Sequence, residues 1–372
     1  MKILIVMGGF FPGRKYGGPP VSADNFCTLL KDCVECYIVT CNHDMGEDMP
    51  YQNIITGWND RGNVKVMYLS DHEYNSKSFE KVINEVKPTY IYLQGLFQES
   101  VYPCLRLAKK HRISVVLAPR GELCSGAFKK KYKKLPYIFL LRTMGLLNNV
   151  IFQSTSTEES DAIHHYLGVS HNRIHLMTNI PSIPHDLRDH RKKNAGEGHF
   201  VFISRILWKK NLLSAIQYLS SVNGTAFFDI YGPKEDESYW RDCEYAISQL
   251  PSNVIVTYKG VLSHDEIHNT FCQYDAFLFP TLSENYGHVI AEALLTGCIP
   301  IISNQTPWND INNNGAGWAI PLEDEEMYKK VVQDVVDMNE SDINKKRESI
   351  KKYLNEKLKM DELKKEYLNV FK

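Results

Sequence analysis

The chain has 372 residues, more than one hydrophobic core ordinarily spans, so two domains are the first expectation. Hydrophobic residues make up 43% and charged residues 23%, a balance that favours a globular chain over a disordered or membrane-spanning one. Lys plus Arg number 43 against 44 Asp plus Glu, which leaves no global field to hold nucleic acid, so a charged ligand has to be met locally.

The opening run Met1-Lys2-Ile3-Leu4-Ile5-Val6 is too short for the core of a signal peptide and reads as a buried strand. Nine cysteines, an odd number, point to reduced thiols in a cytoplasmic protein. Cys33, Cys36, Cys41 and His43 have spacing that a zinc site can use. Cys36 and Cys41 flank the strand-like run Tyr37-Ile38-Val39-Thr40, however, which favours buried cysteines over a metal.

Short β-branched runs then alternate with amphipathic stretches. The runs are Ile3 to Met7, Glu35 to Thr40, Val64 to Leu69, Thr89 to Gln94, Ser114 to Ala118 and Val150 to Gln153. Helical periodicity fills the gaps, as in Phe79, Val82, Ile83 and Val86, and the alternation implies a parallel sheet. The polar stretch Pro181 to Gly198, with its basic run Arg188 to Lys193, is the expected linker. Beyond it the pattern restarts with His199 to Ile203, Ala226 to Tyr231, Val254 to Thr257, Ala276 to Phe279 and Ile299 to Ile302. From Glu323 onward the Lys- and Glu-rich chain has the spacing of two or three helices. Two such units would bind ligand beyond the carboxyl ends of their strands.

The most informative segment follows the run Ala276 to Phe279. Pro280-Thr281-Leu282-Ser283-Glu284-Asn285-Tyr286-Gly287-His288 leads into an apolar helix, Val289 to Leu295, that breaks at Gly297. The unpaired N–H groups of a helix N-terminus suit an anion, and Gly287 lets backbone approach a ligand. Glu284 lies in the loop and Glu292 two turns into the helix. A carboxylate there can hold a ribose diol, as acidic residues do in dinucleotide folds, while Glu284 would meet the sugar. The plain alternative for Glu292 is an exposed helix carboxylate.

This stretch resembles the signature of family 4 (GT4) glycosyltransferases, whose two acidic residues have the same spacing. The resemblance implies the α/β GT-B fold, two Rossmann-like domains facing across a cleft, with C-terminal helices returning to the N-terminal domain. It implies an acceptor-binding domain over 1–183, a nucleotide-sugar domain over 184–355 and a returning helix over 356–372. The activity implied is retaining transfer of a sugar, UDP-linked by family frequency, to a glycan or lipid-linked glycan acceptor in surface polysaccharide assembly, with no metal or other cofactor. A nucleotide-sugar 2-epimerase and a non-catalytic sugar-binding protein are the alternatives.

Other segments resemble the family's elements in order. Arg205 and Lys210 in Ser204-Arg205-Ile206-Leu207-Trp208-Lys209-Lys210-Asn211 match its Arg-to-Lys element. A guanidinium and an ammonium can stabilise the charge that builds on a departing diphosphate. With Glu284 they are the expected catalytic set. Tyr231-Gly232-Pro233 and Lys259-Gly260 stand where the family holds the nucleobase, and Asn285, Tyr286, Gly287 and His288 complete the donor loop with Glu292. Phe11-Pro12-Gly13-Arg14-Lys15-Tyr16-Gly17-Gly18 resembles the family's glycine-rich loop and places Gly17 and Gly18 on the donor phosphates. Trp308, in a Thr-Pro-Trp variant, is either core or a wall of the cleft.

The chain departs from the family where many members carry histidine: Gln94 and Arg120 stand there, and neither is suited to be a general base. Arg120 belongs to Pro119-Arg120-Gly121-Glu122-Leu123, a variant of part of the family, and Gln94, Arg120 and Glu122 are the expected acceptor-side residues. Glu122, Asp24 and His288 are the candidates for an acceptor base. Finally, the lysine run Lys129 to Lys134 beside Leu135 to Arg142 suits an anionic lipid surface, which would place the protein at the inner face of the cell membrane. The alternative is a solvated lysine face on a packed helix.

Overall fold

The β-branched runs pair into two sheets in the computed structural model, which describes residues 1–13, 15–124, 128 and 131–372. Arg14 of the glycine-rich loop and Lys129 and Lys130 of the lysine run lie outside the described residues. The chain divides into two units. Unit 1 is Met1–Ile180 with Met360–Lys372, and unit 2 is Pro181–Lys359, so unit 2 runs from 181 to 359 rather than from 184 to 355.

Unit 1 contains β1 (Lys2–Val6), β2 (Glu35–Cys41), β3 (Trp58–Asp60), β4 (Val64–Leu69), β5 (Tyr90–Gln94), β6 (Ser114–Ala118), β7 (Val150–Ser154) and β8 (Ile174–Leu176). Their order is β3-β4-β2-β1-β5-β6-β7-β8, and only the β3–β4 pair is antiparallel. A sheet covered on both faces needs apolar residues at successive positions. Accordingly Leu4 and Val6 of β1 enter one core while Ile3 and Ile5 enter the other.

The final helix, Met360–Val370, belongs to unit 1. Phe26 packs its ring 5.8 Å from Tyr367 and 5.4 Å from Phe371, and Tyr92 lies 5.4 Å from Phe371. Before it, helices Glu325–Asp337 and Glu340–Lys357 stay in unit 2, where Lys357 Nζ reaches Asp310 Oδ2 at 2.6 Å.

Unit 2 contains β9 (Glu197–Ile203), β10 (Thr225–Tyr231), β11 (Val254–Gly260), β12 (Ala276–Phe279), β13 (Ile299–Ser303) and β14 (Trp318–Ile320). All pairs are parallel, in the order β11-β10-β9-β12-β13-β14. Three strands escaped the sequence reading: β3, β8 and β14 have three residues each, too few for a period to register.

One expectation is corrected, and one alternative to the expected reading falls away. The basic run Arg188 to Lys193 is not a free linker, because Lys193 is buried and its Nζ donates to Asn194 O at 2.9 Å and Val336 O at 3.1 Å. Val336 O lies in the last turn of a helix, where carbonyls have no partner of their own. His190 Nε2 adds a 2.7 Å bond to Thr296 O. The suggested set Cys33, Cys36, Cys41 and His43 also does not assemble. Cys33 is exposed, and Cys36 and Cys41, an odd number of residues apart on β2, point to opposite faces. Among the described residues no helix is long and apolar enough to cross a membrane.

Candidate functional site

In unit 2 the strand order reverses between β9 and its neighbour β12, the position at which open parallel sheets place a ligand. The loop after β9 carries Arg205 and Lys210, and the loop after β12 carries Glu284. The two are sewn together: Leu282 N donates to Lys209 O at 2.9 Å and Asn211 Nδ2 to Pro280 O at 3.0 Å.

Lys210 closes a short 3-10 turn, Trp208–Lys210, and its ammonium forms an ion pair with Glu284. Each side chain of the pair is only 13% exposed. Thr281 Oγ1 donates to Glu284 Oε1 at 3.3 Å, and the Phe279 ring lies 5.6 Å from the ammonium. Burial lowers the pKa of Lys210, and the Glu284 carboxylate opposes that shift. Arg205 does not join them. It is 41% exposed and reaches Glu235 Oε2 at 3.2 Å, a surface pair of small energetic weight.

Glu292 sits in the helix His288–Leu295, only 3% exposed. The alternative of an exposed helix carboxylate is therefore overturned. Burial alone pushes its pKa up to about 7, and among the described residues no hydrogen bond or ion pair reaches the carboxylate. Gly287, with φ 77°, precedes the helix without a side-chain cap, and its carbonyl accepts Ile290 N at 2.9 Å.

Two flanking loops are held by backbone. Ser204 N donates to Tyr231 O at 3.1 Å and Gly232 N to Gly260 O at 2.8 Å. Gly232 has φ 141°, and a Cβ there would lie 1.8 Å from Ser204 O, so only glycine permits the approach. Pro233 accepts Ile206 N at 2.9 Å. Lys259 reaches Asp229 Oδ2 at 3.7 Å, and Tyr274 bridges Asp229 (2.7 Å) and the Tyr231 hydroxyl (3.0 Å). Asp229 and Tyr274 carry no motif and were missed. Trp308 is core: it is buried, with Nε1 donating to Tyr286 O at 2.6 Å. Tyr286 is itself buried, and its ring lies 4.8 Å from that of His288.

In unit 1, Gly17 (φ 71°) leads into the helix Gly18–Leu30, with proline in its first turn and no side-chain cap. Gln94 and Arg120 meet. Arg120 donates to Gln94 Oε1 at 2.7 Å, to Asn179 Oδ1 at 2.6 Å and to the Tyr92 hydroxyl at 3.2 Å. Tyr92 continues to Gln153, which donates to the Tyr367 hydroxyl at 3.0 Å. Glu122 accepts Leu96 N at 2.5 Å and Phe97 N at 3.1 Å, and burial raises its pKa. Glu159 holds the same turn through Gly121 N at 2.6 Å. These partners lie far apart in sequence, which hid them from motif reading.

The family described as Glycosyl transferases group 1 matches residues 185–357, just under half of the chain. A curated relative, "Uncharacterized 41.2 kDa protein in cps region" of Klebsiella pneumoniae, is 24% identical over 65% of this chain; the match spans 66% of the relative, just under two thirds of its length. Among solved structures, S. aureus TarM, a mutant in complex with Fondaparinux, alpha-GlcNAc-glycerol and UDP, superposes with a TM-score of 0.68 at 11% identity, covering 100% of this chain and 99% of that one. WaaG, a glycosyltransferase involved in lipopolysaccharide biosynthesis, does so with a TM-score of 0.64 at 11% identity, covering 99% of each chain. The chain thus has the GT-B fold, and its residues 185–357 are similar to the group 1 glycosyl transferases.

Proposed function

We propose that the protein is a retaining, metal-independent glycosyltransferase that moves a sugar from a UDP-sugar to a glycan or lipid-linked glycan acceptor in surface polysaccharide assembly. The observation that carries the reading is Glu292, a buried carboxylate without a partner, eight residues beyond the Lys210–Glu284 ion pair at the ends of adjacent strands. Ribose hydroxyls supply the donors this carboxylate lacks. The helix N-terminus after Gly287 receives the diphosphate, and Lys210 with Arg205 stabilises the charge that builds on it as the glycosyl bond breaks. Glu284 meets the sugar while its pairing keeps Lys210 charged. The departing phosphate takes the acceptor proton on the same face, so no side-chain base is needed. That fits Gln94, Arg120 and Glu122, all tied into hydrogen bonds. The UDP bound by TarM and the polysaccharide context of WaaG support the choice of donor and acceptor.

Thermal-shift measurement against nucleoside diphosphates tests the donor site. UDP at 100 times its Kd should add about 2.7 kcal/mol to the folded state, and GDP much less. If no nucleotide shifts the melting point, the donor reading fails. UDP release that requires acceptor identifies a transferase; conversion of the UDP-sugar to its 2-epimer without acceptor points to the epimerase, and a shift without turnover to a binding protein.

The helix Lys131–Thr143 supports a lipid-facing role. Tyr132 is 71% and Phe139 69% exposed, with Leu135, Leu140 and Met144 exposed as well, while Ile138 and Leu141 pack into the core. Lys134 turns inward, over the Phe97 ring at 4.5 Å, so aromatic and aliphatic side chains provide much of the outward surface. Co-sedimentation with anionic vesicles is expected, weakened by salt and by Phe139→Asp. Absence of binding at low salt defeats this reading.

A further inference from the structure

The carboxyl ends of the outer strands of unit 1 gather a second chemical cluster, separate from the residues above. β2 and β4 are parallel neighbours with Cys41 opposite Leu69, so the residues just past each strand end meet. Cys41, His43 and Asp71 each place one potential ligand atom within 4.8 Å of the others, the only such group of three found among the described residues. A tetrahedral zinc with bonds of about 2.0–2.3 Å sets its ligand atoms roughly 3.5 Å apart, so about 1 Å of adjustment closes the set. Asp71, 71% exposed on its side chain, can supply that movement.

The hydrogen bonding around His43 gives an independent indication. Its Nδ1 lies 3.0 Å from Asp44 O, a group that only accepts, so Nδ1 carries the proton. Nε2 stands 2.8 Å from Asp71 Oδ1, and a metal there takes the place of the proton the two share. An imidazole that donates its far N–H to a backbone carbonyl is also the usual support for a metal-binding histidine. The backbone beneath the ring is fixed, because the His43 carbonyl accepts the Tyr16 hydroxyl at 3.1 Å and the Tyr51 hydroxyl at 2.8 Å. Cys41 is half-buried and free of any disulfide.

We propose that Cys41, His43 and Asp71 form a binding site for a divalent cation of zinc type, with a thiolate, an imidazole and a carboxylate as ligands and water in the fourth position. The site keeps one position open to water. It ties the loop after β2 to the end of β4, and through the Tyr16 hydroxyl it braces the end of the glycine-rich loop. It departs from the expectation of a chain without metal, and it is distinct from the donor loop, for which no metal is invoked.

The test is titration of the reduced, metal-stripped full-length protein with Co2+ and, separately, Zn2+. One equivalent of Co2+ should bind with a thiolate-to-cobalt charge-transfer band, and Zn2+ should raise the melting temperature. Cys41→Ser should abolish the band, and Asp71→Asn, at an exposed position, should weaken Zn2+ binding at least about tenfold while melting like wild type in chelator. No binding by wild-type protein, or a band that survives in Cys41→Ser, overturns the proposal. So does unchanged Zn2+ affinity in Asp71→Asn.

Discussion

Replacing Glu284 by glutamine is expected to lower acceptor-dependent UDP release by about a hundredfold or more, the scale seen when one preorganised electrostatic group is removed from a transition state. Two effects act together. The sugar loses its carboxylate, and Lys210 loses the partner that holds it charged in a site where burial already disfavours the ammonium. The diphosphate then also leaves against a weaker cation. Glutamine keeps an oxygen for the Thr281 hydroxyl, so the loop should persist and the melting temperature should stay close to wild type. Arg205→Ala should reduce transfer comparably with less effect on stability, since Arg205 makes only an exposed pair with Glu235. Wild-type turnover in a folded Glu284→Gln protein means that this loop is not catalytic.

Glu292→Gln is expected to separate binding from stability. Donor affinity should fall at least about tenfold, the equivalent of roughly 1.4 kcal/mol, because an amide cannot accept both ribose hydroxyls as a carboxylate does. Stability should move the other way at high pH. The folded-state pKa of Glu292 is raised to about 7 from the ordinary 4.5, so the folded chain holds this proton more tightly than the unfolded one. The resulting stabilisation is fully present below about 4.5, declines as pH rises toward 7 and is absent above it. Its span is about 3 kcal/mol. The variant should therefore melt with wild type near pH 4.5 and above it at pH 8. An identical pH slope in both proteins would show that Glu292 is not a buried acid in the free enzyme.

The outline of both sheets was legible in the residues, because strands buried on two faces must be apolar at successive positions and the runs at β1, β5, β9 and β12 are. The three-residue strands were not, nor was the docking of Lys193, whose ammonium is satisfied by carbonyls distant in sequence. Among the proposed site residues, the loop pattern and the family resemblance pointed to Glu284, Glu292, Arg205 and Lys210, yet both were silent on their partners. Lys210 meets Glu284 across 74 positions, whereas Arg205 turns to Glu235. The cysteines were legible in part: the run between Cys36 and Cys41 read as a strand, and its alternation separates them.

By itself, then, the order of residues determined which segments become strands and which loops carry charge and glycine, since these follow from local periodicity and turn chemistry. Tertiary structure alone decided that Glu292 is buried without a partner, that Trp308 is core, that Tyr367 completes the Arg120 network and that Cys41 meets His43 and Asp71. Burial and pairing depend on what other parts of the chain bring to the same place, and neighbouring positions carry no record of that.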